Sequence, residues 1–244
     1  MGVSACAKAE LEQWCEKFNR KRVEADIWGE RMQIKWHGHA CFEISAEEAT
    51  VVTDPYEPSI GMRLPSIRAD VVTVSHEHYD HNNVAAVEGA EVVRGAGEHL
   101  VKGIRFLGVR TFHDTRKGAE RGENTVFVFE LEGIRLCHLG DLGHVLQEEQ
   151  ITAINGVDVL FVPVGGTYTV DAGDAARVVE QLSPKVAIPM HFKIPPLNLN
   201  IASEQAFLQE AERRGWKVRK ASTLSLSKDT LPAETEVVVL AWEH

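Results

Sequence analysis

The stretch Ser75-His76-Glu77-His78-Tyr79-Asp80-His81 constrains the fold of this chain more than any other. It follows directly on the apolar run Val71–Val74, which reads as a short buried strand, and it ends where the chain turns into a helix expected from about Asn83. In extended backbone, residues i and i+2 share a side. His76 and His78 can therefore approach one cation, while Asp80 and His81, where the chain turns, face a second. Imidazole nitrogen with carboxylate oxygen suits Zn, Mn or Fe, and the lack of thiolate sets the group apart from a structural zinc site. Two ions need more ligands than this segment holds. Three further residues stand where apolar β segments end: His113 after Val109-Arg110-Thr111-Phe112, Asp141 after Leu136–Gly140, and His191 after Val186–Met190. A β-rich scaffold can present all of them only by gathering several strand ends at one edge.

The remaining sequence supplies such strands. Short β segments are expected at Met32–Trp36, Cys41–Ser45, Thr50–Asp54, Val71–Ser75, Glu91–Arg94, Ile104–Val109, Thr125–Leu131, Ile134–Leu139, Asp158–Val164, Val186–Met190, Trp216–Lys220 and Glu236–Trp242. Glu132-Gly133 joins two of them as a tight hairpin. Helices are expected at Asn83–Glu88, Leu146–Ile154, Ala172–Leu182 and Ser203–Arg214, with Asp171 and Ala202-Ser203 as starts. Leu11, Trp14, Cys15 and Phe18 recur at helical spacing behind a capping Ser4. The pattern gives a helical extension over residues 1–30 and one domain over 31–244. The apolar stripe of the extension can pack on its own domain or on a second copy, which leaves a homo-oligomer open.

Composition narrows the partners. Lys plus Arg number 26 against 36 Asp plus Glu, a formal charge of −10, so neither nucleic acid nor an anionic membrane is expected as main partner. No apolar run approaches the ~20 residues of a membrane span, and the N-terminus has no secretory pattern. The cysteines Cys6, Cys15, Cys41 and Cys137 form no C-x-x-C pair and read as thiols in a reducing cytoplasm.

The ordered set Asp54, His76/His78/Asp80/His81, His113, Asp141 and His191 resembles the five-motif signature of the metallo-β-lactamase superfamily. Within it, Trp36-His37-Gly38-His39-Ala40-Cys41-Phe42, His138-Leu139-Gly140-Asp141 and Pro163-Val164-Gly165-Gly166 are similar to the ascorbate-6-phosphate lactonase-like hydrolases. Leu142 departs from the pattern, since many relatives carry a hydroxyl residue there. The resemblance implies an α/β, four-layer αββα sandwich with metal ions at one edge. It implies His76, His78 and His113 on the first ion, Asp80, His81 and His191 on the second, and Asp141 bridging.

On that reading the protein is a metal-dependent hydrolase. Two divalent ions, Zn foremost with Mn or Fe as alternatives, activate a shared hydroxide against a small anionic lactone, ester or phosphoester. Asp80 would also orient the nucleophile, and Asp54 would fix a histidine tautomer from behind. His39, beside Gly38, is a third candidate for the catalytic machinery. Asp114, Lys117, Arg121 and Lys193 are candidate substrate contacts. The rival reading is a metal-dependent nuclease or phosphodiesterase acting on RNA. A diiron redox protein fits less well, because His78 stands where those relatives carry Glu.

Overall fold

Strand β1 (Met32–Gly38) buries Met32, Ile34 and Trp36 on one face, and β2 (Cys41–Ser45) lays Phe42 and Ile44 beside them. That period-two alternation builds a sheet that is apolar toward a second sheet. The computed structural model describes residues 31–242. The helix expected within residues 1–30 lies outside them.

The other strands are β3 (Thr50–Thr53), β4 (Ile67–Arg68), β5 (Val71–Val74), β6 (Val87–Glu88), β7 (Glu91–Arg94), β8 (Gly97–Val101), β9 (Ile104–Phe112), β10 (Glu123–Leu131), β11 (Ile134–His138), β12 (Val159–Pro163), β13 (Val186–Met190), β14 (Lys217–Ala221), β15 (Thr223–Leu226) and β16 (Glu236–Leu240). Helices are α1 (Glu148–Ile154), α2 (Ala172–Leu182) and α3 (Gln205–Arg213). One sheet runs β15-β1-β2-β3-β5-β7 and the other β14-β16-β13-β12-β11-β10-β9-β8, while β4 and β6 pair separately. The main core lies between the two sheets and extends beneath α2, whose Ala175, Ala176, Val178 and Val179 are buried. Asp171 caps α2 by accepting a bond from Asp174 N at 2.9 Å.

The first sheet has a second apolar face. Val51 and Val71 point into the main core, whereas their neighbours Val52 and Val72 join Tyr56, Ile60, Met62, Leu197 and Ile201 in a smaller cluster. Among the described residues this face is covered by loops and 3-10 turns. The helix expected at Asn83–Glu88 is there only a 3-10 turn over Val84–Ala86 followed by β6, because Val87 pairs with Ile67 instead of continuing a helical stripe. Besides the short β4, the strands β8 and β15 were not expected. The former is an exposed hairpin arm without alternation, and the latter adds to β1 through Thr223 to Leu226.

Strand direction positions the site. In the first sheet β3, β5 and β7 are parallel, and β1 runs the same way, being two antiparallel steps from β3. In the second sheet β11, β12, β13 and β16 are parallel, and β9 runs with them through β10. The residues just past the ends of β1, β3, β5, β9, β11 and β13 are His39, Asp54, Ser75-His76, His113, Leu139–Asp141 and His191.

Candidate metal centre

Asp141 occupies the middle of a histidine cluster. Its Oδ2 lies 3.2 Å from His113 Nε2, 3.2 Å from His191 Nε2, 3.3 Å from His81 Nε2 and 4.0 Å from His76 Nε2. Around it three sets of side chains bring one donor atom each to within 4.8 Å of one another: His76, His78 and His113; His39, Asp80, His81 and His191; and His76, His81 and Asp141. All seven residues of the expected ligand set therefore converge, and His39 joins them. His78 is exposed, while the others are buried.

The loops that carry them are tightly fixed. Gly140 has a φ of +55°, and a Cβ there would sit 2.4 Å from Asn124 Oδ1 and 2.5 Å from Ser75 Cβ, so only glycine lets the Asp141 loop approach this closely. Asn124 Oδ1 accepts from Asp141 N at 2.9 Å, and its Nδ2 donates to Leu139 O at 2.9 Å. His39, Asp54 and His191 all have positive φ, the strained backbone that functional sites collect.

Hydrogen bonds behind the rings decide which nitrogen faces the cluster. Asp54 Oδ2 accepts from His81 Nδ1 at 3.0 Å and from Ser75 Oγ at 2.5 Å, and Ser75 Oγ in turn lies 2.9 Å from His76 Nδ1. His113 Nδ1 donates to Tyr168 O at 3.0 Å. With their Nδ1 protons held outward, His81 and His113 turn Nε2 toward the Asp141 carboxylate. A nitrogen and a carboxylate oxygen 3.2–3.3 Å apart need a proton or a cation between them, and one cation can serve several such contacts at once. His76 Nε2 and Asp141 Oδ1 are buried with no hydrogen-bond partner among the described residues. This donor set fits divalent cations.

The charges agree. Burial pushes the Asp141 carboxyl up, but His191 and His81 outweigh it and hold it well below the carboxylate range. Asp80 is lowered in the same way by His81 and His39. Both stay ionised at neutral pH. Burial, then His191, lowers His39 to about 4, and burial, then His81, lowers His76 to about 3. His81 is raised, because Asp141 and Asp80 overcome its burial.

A cleft of about 340 Å³ opens onto the cluster, lined by His78, Tyr79, Asp80, His113, Arg121, Asp141, Tyr168, His191 and Leu199. A second, of about 470 Å³, runs from Ser75, His76 and His78 past Arg94 and Arg121. Arg121 lines both, and its guanidinium carbon lies 5.7 Å from the Tyr168 ring centroid.

The other expected substrate contacts are engaged elsewhere or lie outside the clefts. Asp114 is buried and accepts from the backbone N–H groups of Arg116, Gly118, Glu120 and Arg121 at 2.7–3.0 Å. It shapes the loop that delivers Arg121, and those donors outweigh its burial to lower it to about 2. The Lys193 ammonium donates to the carbonyls of Leu197 and Leu199, which leaves it turned into its own loop. Lys117 is exposed and outside both clefts. His138 and His144 are structural, the first 3.0 Å from Ala40 O and the second accepting from Phe112 N. Leu142 is core, and its carbonyl accepts from Val170 N. Ser75 and Asn124 are the supports that sequence reasoning missed: a serine before a histidine and an asparagine in a polar segment carry no signal by themselves.

Comparison with known proteins gives a consistent picture. The profile of the beta-lactamase superfamily domain matches residues 33–191. The UPF0173 metal-dependent hydrolase of Thermoplasma acidophilum is 30% identical over 190 residues, 67% of this chain and 84% of its own. Its counterpart from Carboxydothermus hydrogenoformans is 31% identical over 212 residues, 75% of this chain and 92% of its own. A crystal structure from Thermotoga maritima, provisionally described as a Zn-dependent hydrolase of the metallo-β-lactamase superfamily, shares 43% identity. It superposes with a TM-score of 0.70 over 86% of this chain and 98% of its own. The Ignicoccus hospitalis metallo hydrolase Igni18, at 21% identity and a TM-score of 0.63, shares the fold over 81% of this chain and 99% of its own.

Proposed function

The chain belongs to the metallo-β-lactamase superfamily and is a metal-dependent hydrolase, and from that premise we propose that it hydrolyses a small anionic lactone, ester or phosphoester at a two-cation centre. His76, His78 and His113 hold the outer cation. Asp80, His81 and His191 hold the inner one, with Asp141 between them. The observation that carries this reading is the single carboxylate oxygen, Asp141 Oδ2, within 3.2–3.3 Å of histidine nitrogens from both groups. Zinc is the ion of choice, and manganese and iron suit the same donors. Bound divalent ions supply a water acidic enough to be nucleophilic near neutral pH and polarise the electrophile.

The chain's own residues do the rest. Asp54 keeps the His81 proton on Nδ1 and, through Ser75, does the same for His76. Asp80, at the cleft floor and ionised, orients the attacking water. Arg121 meets the anionic group of the substrate at the cleft wall, where Tyr168 holds its guanidinium plane. Among the described residues no helix is long and apolar enough to cross a membrane.

A screen of the zinc-loaded chain against lactones, carboxylate esters and phosphodiesters, with structured RNA as comparator, tests this reading. Turnover of an anionic small molecule that is lost on chelation is the expected result. Efficient cutting of RNA with none of the small molecules turned over would replace it with the nuclease reading, against which the charge of −10 counts.

A further inference from the structure

His39 stands at the β1–β2 turn with a φ of 54°, a region that non-glycine residues seldom adopt. Two donors hold its carbonyl there, Trp36 Nε1 at 3.1 Å and His191 N at 3.0 Å. The consequence is a fully buried ring aimed into the cluster. Its Nε2 lies 3.1 Å from Asp80 Oδ2 and 3.2 Å from His81 Nε2, and its ring centroid is 4.2 Å from that of His191.

We propose that His39 is a further protein ligand of the inner cation, together with Asp80, His81, His191 and the shared Asp141, so that the inner position is the more fully ligated of the two. The proposal rests on the two-cation reading above.

Geometry carries it, since His39, Asp80, His81 and His191 each bring one donor atom to within 4.8 Å of the others. His81 gives its Nδ1 proton to Asp54, which leaves Nε2 as the atom it turns toward His39. Asp80 offers a bare carboxylate oxygen. His39 Nε2 faces both at nearly equal distance, and a single proton on it can point at only one of them. Its Nδ1 has no partner among the described residues either way. One cation can be shared at once by His39 Nε2, His81 Nε2 and the Asp80 carboxylate. The spacings of 3.1 and 3.2 Å agree with donor atoms that share one ion at bonds of ~2.0–2.1 Å. Burial sets one ligand apart. His39, His81 and His191 are at most 1% exposed and Asp80 is 9% exposed, whereas His78 of the outer group is exposed and lines both clefts. Closed sites hold their ion, and catalytic sites keep a position free.

The test is a titration of the metal-free chain with Zn²⁺ against a competing chromophoric chelator. His39→Asn removes the ligand while tolerating the left-handed backbone, and His39→Gln restores an N–H near the Nε2 position. The wild type should bind two equivalents. Both variants should bind one of them at least about tenfold more weakly and keep the other within about twofold. His78→Ala should weaken the opposite equivalent. Unchanged affinities in His39→Asn, or full recovery in His39→Gln, would overturn the proposal, the second result reducing His39 to a hydrogen-bond support for Asp80. Fewer than two equivalents in the wild type would instead defeat the two-cation reading itself. Should the variants fail to fold, a zinc-loaded crystal structure of the wild type decides. It should show His39 Nε2 at ~2.0–2.1 Å from the inner ion, and a separation beyond about 3 Å would contradict the assignment.

Discussion

The two halves of the histidine cluster are built differently. The inner half, around His81 and His191, is enclosed, and His81 is held from behind by an ionised Asp54. The outer half pairs two buried histidines with the exposed His78, and its supports are neutral: Ser75 behind His76 and the Tyr168 carbonyl behind His113. A charged acceptor makes a ring nitrogen a stronger donor than a neutral one does. On the two-cation reading proposed above, the inner half would hold its ion more tightly and the outer half, with the exposed His78, would be the first to meet a substrate. Asp141 belongs to both, since its Oδ2 touches His113 on one side and His81 and His191 on the other.

The largest effect should come from erasing the shared member. Asp141→Asn removes one negative charge from between the two groups. It should lower zinc content toward one ion or fewer and cut kcat/KM by more than the 10–100-fold typical of residues behind the ligands. Metal analysis with steady-state kinetics checks this, and equal loss at both positions supports Asp141 as their common member. Asp54→Asn should fall within that 10–100-fold range, with the inner equivalent weakened more than the outer because His81 contacts Asp54 directly and His76 only through Ser75. Equal weakening of the two would erase the inner–outer distinction.

Smaller effects lie further out. Arg121→Gln should raise KM for an anionic substrate several-fold, leave kcat and zinc content near wild type, and flatten the salt dependence of kcat/KM. A neutral analogue should not notice the change. The smallest effect belongs to the hairpin that carries His39. Glu43 accepts from His37 at 2.9 Å and has Lys35 3.8 Å away, and these lower its carboxyl below the ordinary 4.5 against the pull of partial burial. A carboxyl lowered in the folded state adds stability that is complete above its unfolded value and fades as pH falls through the folded one. The gap in Tm between wild type and Glu43→Gln should thus be present at pH 6 and shrink below pH 4.5. At no more than ~1 kcal/mol it is an exposed-pair effect.

The difference between the halves also explains what could be read from the residues alone. The segment from His76 to His81 and the strand-end positions of His113, Asp141 and His191 were legible, because metal donors are chemically distinctive and apolar runs mark the strands that deliver them. The same holds for the hairpin at Glu132-Gly133 and for α2 behind Asp171, where local turn and capping chemistry decides the outcome. The supports were not legible. Ser75 and Asn124 are ordinary polar residues until topology places them against Asp54 and Asp141. Asp114 and Lys193 look like substrate contacts beside His113 and His191, and only the folded loops show their charges turned onto backbone groups. β15 and the turn at Val84–Ala86 were hidden because pairing with distant strands, not local periodicity, determines them.

The most direct test is the metal content of the purified, full-length chain, measured by elemental analysis alongside hydrolysis before and after chelation. The geometry around Asp141 predicts about two divalent ions per chain, with hydrolysis lost when they are stripped and regained when zinc returns. A chain that purifies with far less than one ion and hydrolyses its substrate equally well in excess chelator would contradict the account.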